Sequence, residues 1–122
     1  MPVHSVVDLS NRVVLTVLSG VVTFREATAQ VTKLRADPAF DPGFSELIDL
    51  SAVSEIQMSY AVLKSLMEID PFSTTSKRAL VNPSPKSISG AALLYRIMQS
   101  DEVCVQVFAS TAEALRWLTF TT

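Results

Sequence analysis

Arg12-Val-Val-Leu-Thr-Val-Leu18 is the stretch that decides the fold. In an extended chain Val13, Leu15 and Val17 point to one side, and Val14, Thr16 and Leu18 to the other. Apolar residues on both sides suit a central strand covered on two faces. Toward the N-terminus, Val3 to Asp8 is a second β-branched run, and Leu9-Ser-Asn11 between the two runs reads as a hairpin turn. Toward the C-terminus, Gly20 breaks the strand pattern, and Thr23 and Glu26 have the spacing of a capping box. Phe24, Ala27, Val31 and Leu34 follow at helical intervals, which predicts a helix of about four turns ending before Asp37-Pro38.

The loop Asp37 to Gly43 leads into a strand over Ser45 to Leu50. A helix from Ser59 to Ile69 follows, with Val62, Leu63, Leu66 and Met67 inward, and then a short strand over Lys77 to Asn82. Pro83-Ser-Pro85 separates that strand from a third helix, about Ser87 to Gln99. Val103 to Phe108 is the last strand, and Ser110 and Glu113 box the start of a closing helix, Thr111 to Leu118. The order β-β-α-β-α-β-α-β-α predicts an α/β fold: a mixed, mainly parallel five-stranded sheet with an N-terminal β-hairpin and about four helices. The residues expected deepest in the core include Val14, Val17, Leu34, Leu47, Leu66, Leu80, Val105 and Leu115.

The 122 residues suit one domain, 1–122. A composition 48% hydrophobic and 18% charged excludes the disordered class. A net charge of −2 argues against a nucleic-acid binder, which would carry a basic surplus. No run approaches the roughly 18 apolar residues of an integral membrane segment. The opening Met-Pro-Val-His-Ser lacks the charged start and apolar run of a secretory signal, so a cytoplasmic location is expected. Cys104 has no second cysteine to pair with, and its strand setting predicts a small buried hydrophobe. His4 is the single histidine, which argues against a Ser-His-Asp triad or a multi-histidine metal site. No catalytic set, metal site or cofactor is therefore expected.

Charge is segregated along the chain. From Asp37 to Asp70 there are seven acids and one base, Lys64; from Pro71 to Ser100 there are four bases, Lys77, Arg78, Lys86 and Arg96, and no acid. Such a pattern reads either as a solvated surface or as a local anion site. For the second reading, Ser84, Lys86, Ser87 and Ser89 gather at the start of the third helix. There, helix amides, hydroxyls and an ammonium would suit a phosphate or carboxylate. The same residues are also ordinary loop and cap chemistry. Asp49 falls at the end of a predicted parallel strand, where it would order the loop or pair with Glu55. Ser59 either caps its helix or places a phosphate at the helix start. Met58, Met67 and Met98 with Phe72 are either core filler or the wall of an apolar cavity.

Four segments carry a family resemblance: Gly20-Val-Val-Thr-Phe-Arg-Glu26, Ala36-Asp-Pro-Ala-Phe-Asp-Pro-Gly43, Leu47-Ile-Asp-Leu-Ser51 and Ala112-Glu-Ala-Leu-Arg-Trp-Leu118. Over nearly its whole length the chain resembles small bacterial proteins of the SpoIIAA-like (STAS-like) superfamily. That group includes anti-sigma-factor antagonists, whose switch serine lies in an Asp-Ser-Ser-Gly stretch after a strand ending Leu-Asp-Leu-Ser. Ile48-Asp-Leu-Ser51 matches the strand ending, and Ser59 matches the switch serine in position. Gln57, Met58 and Tyr60 stand where the pattern has Asp, Ser and Gly, which argues against a phosphorylation switch here. The resemblance implies that Asp49, Ser51, Ser59 and Tyr60 border a binding surface. A more distant likeness to CRAL-TRIO lipid-exchange domains implies an apolar ligand.

The expectation is thus a non-enzymatic binding or regulatory module acting through a protein partner or a small ligand, and compatible with a homodimer. The alternative is a carrier of a lipid-like or other apolar small molecule. An enzyme using Asp49 and the nearby serines ranks last. A cavity lined by Met and Phe would favour the carrier, and a flat surface around Ser59 the protein partner.

Overall fold

The structure, a computed structural model, describes residues 3–73, 75–81 and 104–119. Its first unit forms where two β-branched runs flank a polar turn. Strand β1 (Val3–Asp8) pairs antiparallel with β2 (Val13–Thr23), Val3 opposite Leu18 and Asp8 opposite Val13. The Asp8 carboxylate closes the turn. It accepts hydrogen bonds from the Ser10 hydroxyl at 2.9 Å, the Asn11 amide at 3.2 Å and Asn11 Nδ2 at 2.9 Å.

Strand β2 runs past the expected end at Leu18, and β3 (Ser45–Gln57) runs past Leu50. The two extensions have one cause: Ser19 to Thr23 of β2 pair with Ala52 to Gln57 of β3, so each supplies the other's hydrogen bonds. Gly20 does not end the strand. It takes φ +61 beside a shift in register between Gly20 and Val21, an irregularity that glycine accommodates without steric penalty.

Helix α1 (Phe24–Ala36) follows directly. Its box forms in altered shape: the Thr23 hydroxyl donates to Glu26 Oε1 at 2.7 Å and caps no backbone amide. Helix α2 (Tyr60–Glu68) starts at Ser59, whose Oγ accepts from the Val62 amide at 3.3 Å. Then come β4 (Lys77–Val81), β5 (Cys104–Phe108) and helix α3 (Thr111–Thr119), where Ser110 Oγ accepts from the Glu113 amide at 3.3 Å. The sheet has five strands in the order β1-β2-β3-β4-β5, and every pairing from β2 onward is parallel. The described residues hold three helices; the predicted helix over Ser87 to Gln99 lies outside them.

Two apolar layers sandwich the sheet. On one face Val3, Val22, Ile48, Leu50 and Leu80 form a cluster with Leu63 of α2. On the other, Val13, Leu47, Ala79 and Val81 meet Ala114 and Leu118 of α3. Val13 and Val14 are both fully buried, so β2 is covered on two faces at its start. Of the expected core, Val14, Leu34, Leu47, Leu80 and Val105 are buried. Val17 is 41% exposed, because α3 packs over β3, β4 and β5 rather than over the hairpin. Leu66 and Leu115 are half-buried; Leu63, and Ala114 with Leu118, take the innermost places on their helices. Cys104 is exposed, since Val105 beside it turns into the core and alternation sends Cys104 the other way. No described helix is long and apolar enough to cross a membrane.

Candidate functional site

The face of the sheet under α1 and α2 carries a polar row. Strand alternation puts Ser5, Thr16, Glu46 and Arg78 on the same side as Val3, Leu18, Ile48 and Leu80. The register makes Ser5 face Thr16 across β1 and β2, and Glu46 face Arg78 across β3 and β4. Thr16, Glu46 and Arg78 are all buried, Arg78 to 2% exposure.

These groups form one connected network. Ser5 and Thr16 hydroxyls lie 2.9 Å apart, and Thr16 donates to Glu46 Oε2 at 2.8 Å, which leaves Ser5 as donor to Thr16. Arg78 Nη1 meets Glu46 Oε1 at 3.2 Å, and Arg78 Nη2 donates to Asp70 Oδ2. The other oxygen of Asp70 accepts the Phe72 amide at 3.4 Å. The Phe72 ring covers the guanidinium, its centroid 4.2 Å from Arg78 Cζ, and Phe40 meets Phe72 edge-on at 5.1 Å. Arginine suits this place because its planar fork reaches two carboxylates while its face stacks on a ring. Among the described residues, Arg78 Nε is the one buried side-chain nitrogen or oxygen without a hydrogen-bond partner.

Two carboxylates thus share one guanidinium in the interior. Burial pushes the Glu46 carboxyl up to about 7; Arg78 opposes the rise, Asp70 adds to it and the Thr16 hydrogen bond opposes it. Near neutral pH this carboxyl is divided between its two forms. One base of the acid-free segment and two acids of the acidic one meet here. Arg78, from the acid-free segment, is drawn inside by Glu46 and Asp70 of the acidic one.

Beside the network lies a cavity of about 120 Å³ between the sheet and the two helices. The sheet supplies Val3, Leu18, Val22 and Ile48; α1 supplies Ala27, Gln30, Val31 and Leu34; α2 supplies Leu63, Leu66 and Met67. Ile56, Met58, Pro71 and Phe72 complete an almost wholly apolar wall, and Ser5, Thr16, Glu46, Asp70 and Arg78 give it one polar end. Met58, Met67 and Phe72, weighed from sequence as cavity wall or core filler, line this space; Met98 lies outside the described residues.

The sequence-predicted site residues fall elsewhere. Asp49 sits within β3 rather than at its end, because the strand continues to Gln57. Its Oδ1 accepts from the Ser51 amide at 2.9 Å and the Ser51 hydroxyl at 2.6 Å. Glu55 is six residues further along an extended strand, roughly 20 Å away, so the two acids form no carboxylate pair. Ser59 and Tyr60 adjoin at the start of α2, both exposed, with Ser59 serving as the cap. Ser84, Lys86, Ser87 and Ser89 lie outside the described residues. Among the described residues no group of three or more His, Cys, Asp or Glu could hold a metal ion.

The architecture defines a class: an α/β domain of the SpoIIAA-like fold. Among solved structures, the chain is similar to an uncharacterized protein of the DUF3478 family with a SpoIIAA-like fold from Shewanella loihica PV-4. The TM-score is 0.65 and the identity 13%, over 95% of this chain and 91% of that one. No family model matches the sequence, and no curated protein does so significantly.

Proposed function

We propose that this domain is a non-catalytic module that binds one small, predominantly apolar molecule in the cavity between the sheet and helices α1 and α2. The observation that carries the reading is the cavity itself, about 120 Å³ with walls of Leu, Val, Ile, Met and Phe. Sites that hold small molecules are typically apolar hollows with a few convergent polar groups. Size narrows the choice. A cavity of about 150 Å³ lined by similar residues holds a benzene, so the space here suits one small ring or short chain and not a two-chain lipid. The SpoIIAA-like fold supports a binding or regulatory role. The exposed Ser59 keeps a cap's geometry, so the cavity favours the ligand over a partner docked at Ser59.

The test pairs native mass spectrometry of the purified protein with a filled-cavity variant. Ala27→Phe adds a phenyl ring from the α1 wall. A small hydrocarbon at about ten times its dissociation constant should stabilise the wild type by about 1.4 kcal/mol, roughly 5 °C in Tm, and the variant hardly at all. Equal shifts in both proteins, with no molecule retained by either, would refute the reading.

A further inference from the structure

The hairpin is the part of the sheet with an unguarded side. Strand β1 is an outer strand, and among the described residues no strand pairs with its free edge. Such an edge offers a row of backbone N–H and C=O groups to any extended chain, and proteins commonly guard it with lysine, proline or a bulge. Val3–Asp8 contains neither lysine nor proline, and it pairs with β2 in unbroken register. Alternation puts His4, Val6 and Asp8 on the α3 side of the sheet, opposite Val17, Leu15 and Val13 of β2. Helix α3 packs mainly over β3, β4 and β5, so Val6 is 51% exposed there, beside the exposed Val17 and the half-buried Leu15.

We propose that β1 docks edge to edge, antiparallel, on β1 of a second copy of this chain, giving a two-fold dimer with one continuous sheet. The strand is complementary to itself in one register. Setting Val6 opposite the Val6 of the second copy brings His4 opposite Asp8 and Ser5 opposite Val7, each twice by symmetry. Asp8 accepts three hydrogen bonds within its own turn, of the about four a carboxylate can take, which leaves a place for an imidazole N–H. A slip of two residues either way sets Val6 opposite His4 or Asp8 and breaks both His4–Asp8 pairs. The other outer strand, β5, has no charged residue to fix a register. The cavity lies on the opposite face of the sheet and has no part in this contact.

Sedimentation velocity of the full chain tests this. A strand-edge contact is at the small end of specific interfaces, so the dimer should form reversibly as protein is raised from about 10 µM to about 1 mM. Val6→Lys sets two ammonium groups against each other at the axis and should weaken dimerisation at least about tenfold. His4→Glu, which opposes an acid to each Asp8, should weaken it by a similar factor, and His4→Lys should keep or tighten it. Both positions are exposed, so each variant should melt near the wild type. Cross-linking reads the register. In a Cys104→Ser background, Val6→Cys should form an intermolecular disulfide on mild oxidation, whereas His4→Cys, held roughly 14 Å from its counterpart, should not. A chain that stays monomeric at every concentration would overturn the proposal. So would a dimer indifferent to both Val6→Lys and His4→Glu, whose interface must lie elsewhere. Cross-linking through His4→Cys in place of Val6→Cys would overturn the register and, with it, the self-complementarity on which the proposal stands.

Discussion

Replacing Glu46 with Gln should remove a pH dependence of stability that one buried carboxyl creates. The folded-state affinity of Glu46 for its proton is raised from the ordinary 4.5 to about 7, so the native protein holds this proton where the unfolded chain releases it. The sign follows. Stability from this group is complete below pH 4.5, falls as pH rises, and levels off above about 7. One proton contributes at most about 1.4 kcal/mol per pH unit, so the whole interval amounts to about 3 kcal/mol. Glutamine keeps the size of the side chain, an oxygen for Arg78 Nη1 and an amide donor toward Thr16, and it has no proton to lose. Urea unfolding of wild type and Glu46→Gln should be followed at intervals from pH 4 to 8, and the difference between the two free energies plotted. Groups elsewhere act alike in both proteins and cancel. The wild type should lose stability relative to the variant across pH 4.5 to 7, by up to about 3 kcal/mol. A difference that stays flat with pH, or slopes the other way, refutes the claim that burial of Glu46 governs this titration.

Helix α2 offers a test of where the core ends and the cavity begins. Leu63→Ala should cost about 2–5 kcal/mol in chemical denaturation, and Leu66→Ala, at the half-buried cavity wall, clearly less; the reverse ranking would show that the inner face of the helix is misplaced. At the start of the same helix, Ser59→Ala should cost about 1 kcal/mol by loss of the cap, while Ser59→Asp, which keeps an accepting oxygen, should stay near wild type. Equal losses in the two variants would mean that the Val62 amide is not what Ser59 serves.

Most of the architecture is legible in the sequence because period and punctuation agree. Val13 to Leu18 alternates with apolar residues on both sides; Val14 and Thr16 are buried on one, while on the other Val13 is buried, Leu15 half-buried and Val17 exposed. The ends of β2 and β3 are not legible. Ser51, Ser54 and Glu55 look like loop residues, and only the partner strand makes Ala52 to Gln57 extended. The site is harder still to read. Glu46 and Arg78 lie 32 positions apart (78 − 46), in strands whose pairing no local pattern reveals. A signal is present all the same: in each of the two strands a charge occupies the face that alternation gives to Ile48 or Leu80. Paired charges on a buried face point to each other, whereas the exposed serines, Asp49 and Ser59 announce turn and cap chemistry that any domain needs.

The order of the strands across the sheet is also their order along the chain, β1 to β5. A ribosome therefore delivers each strand next to the edge left by the one before, and the layer can grow in one direction as the chain emerges. Glu46 and Asp70 are made before Arg78, and a buried carboxylate deprived of its guanidinium carries a penalty of about 3–5 kcal/mol. A nascent chain ending short of β4 thus has two acids with no guanidinium to meet, and covering them costs more than in the finished fold. Closure of the helical layer over Glu46 and Asp70 is therefore expected to be most favourable once the fourth strand has brought Arg78 between them.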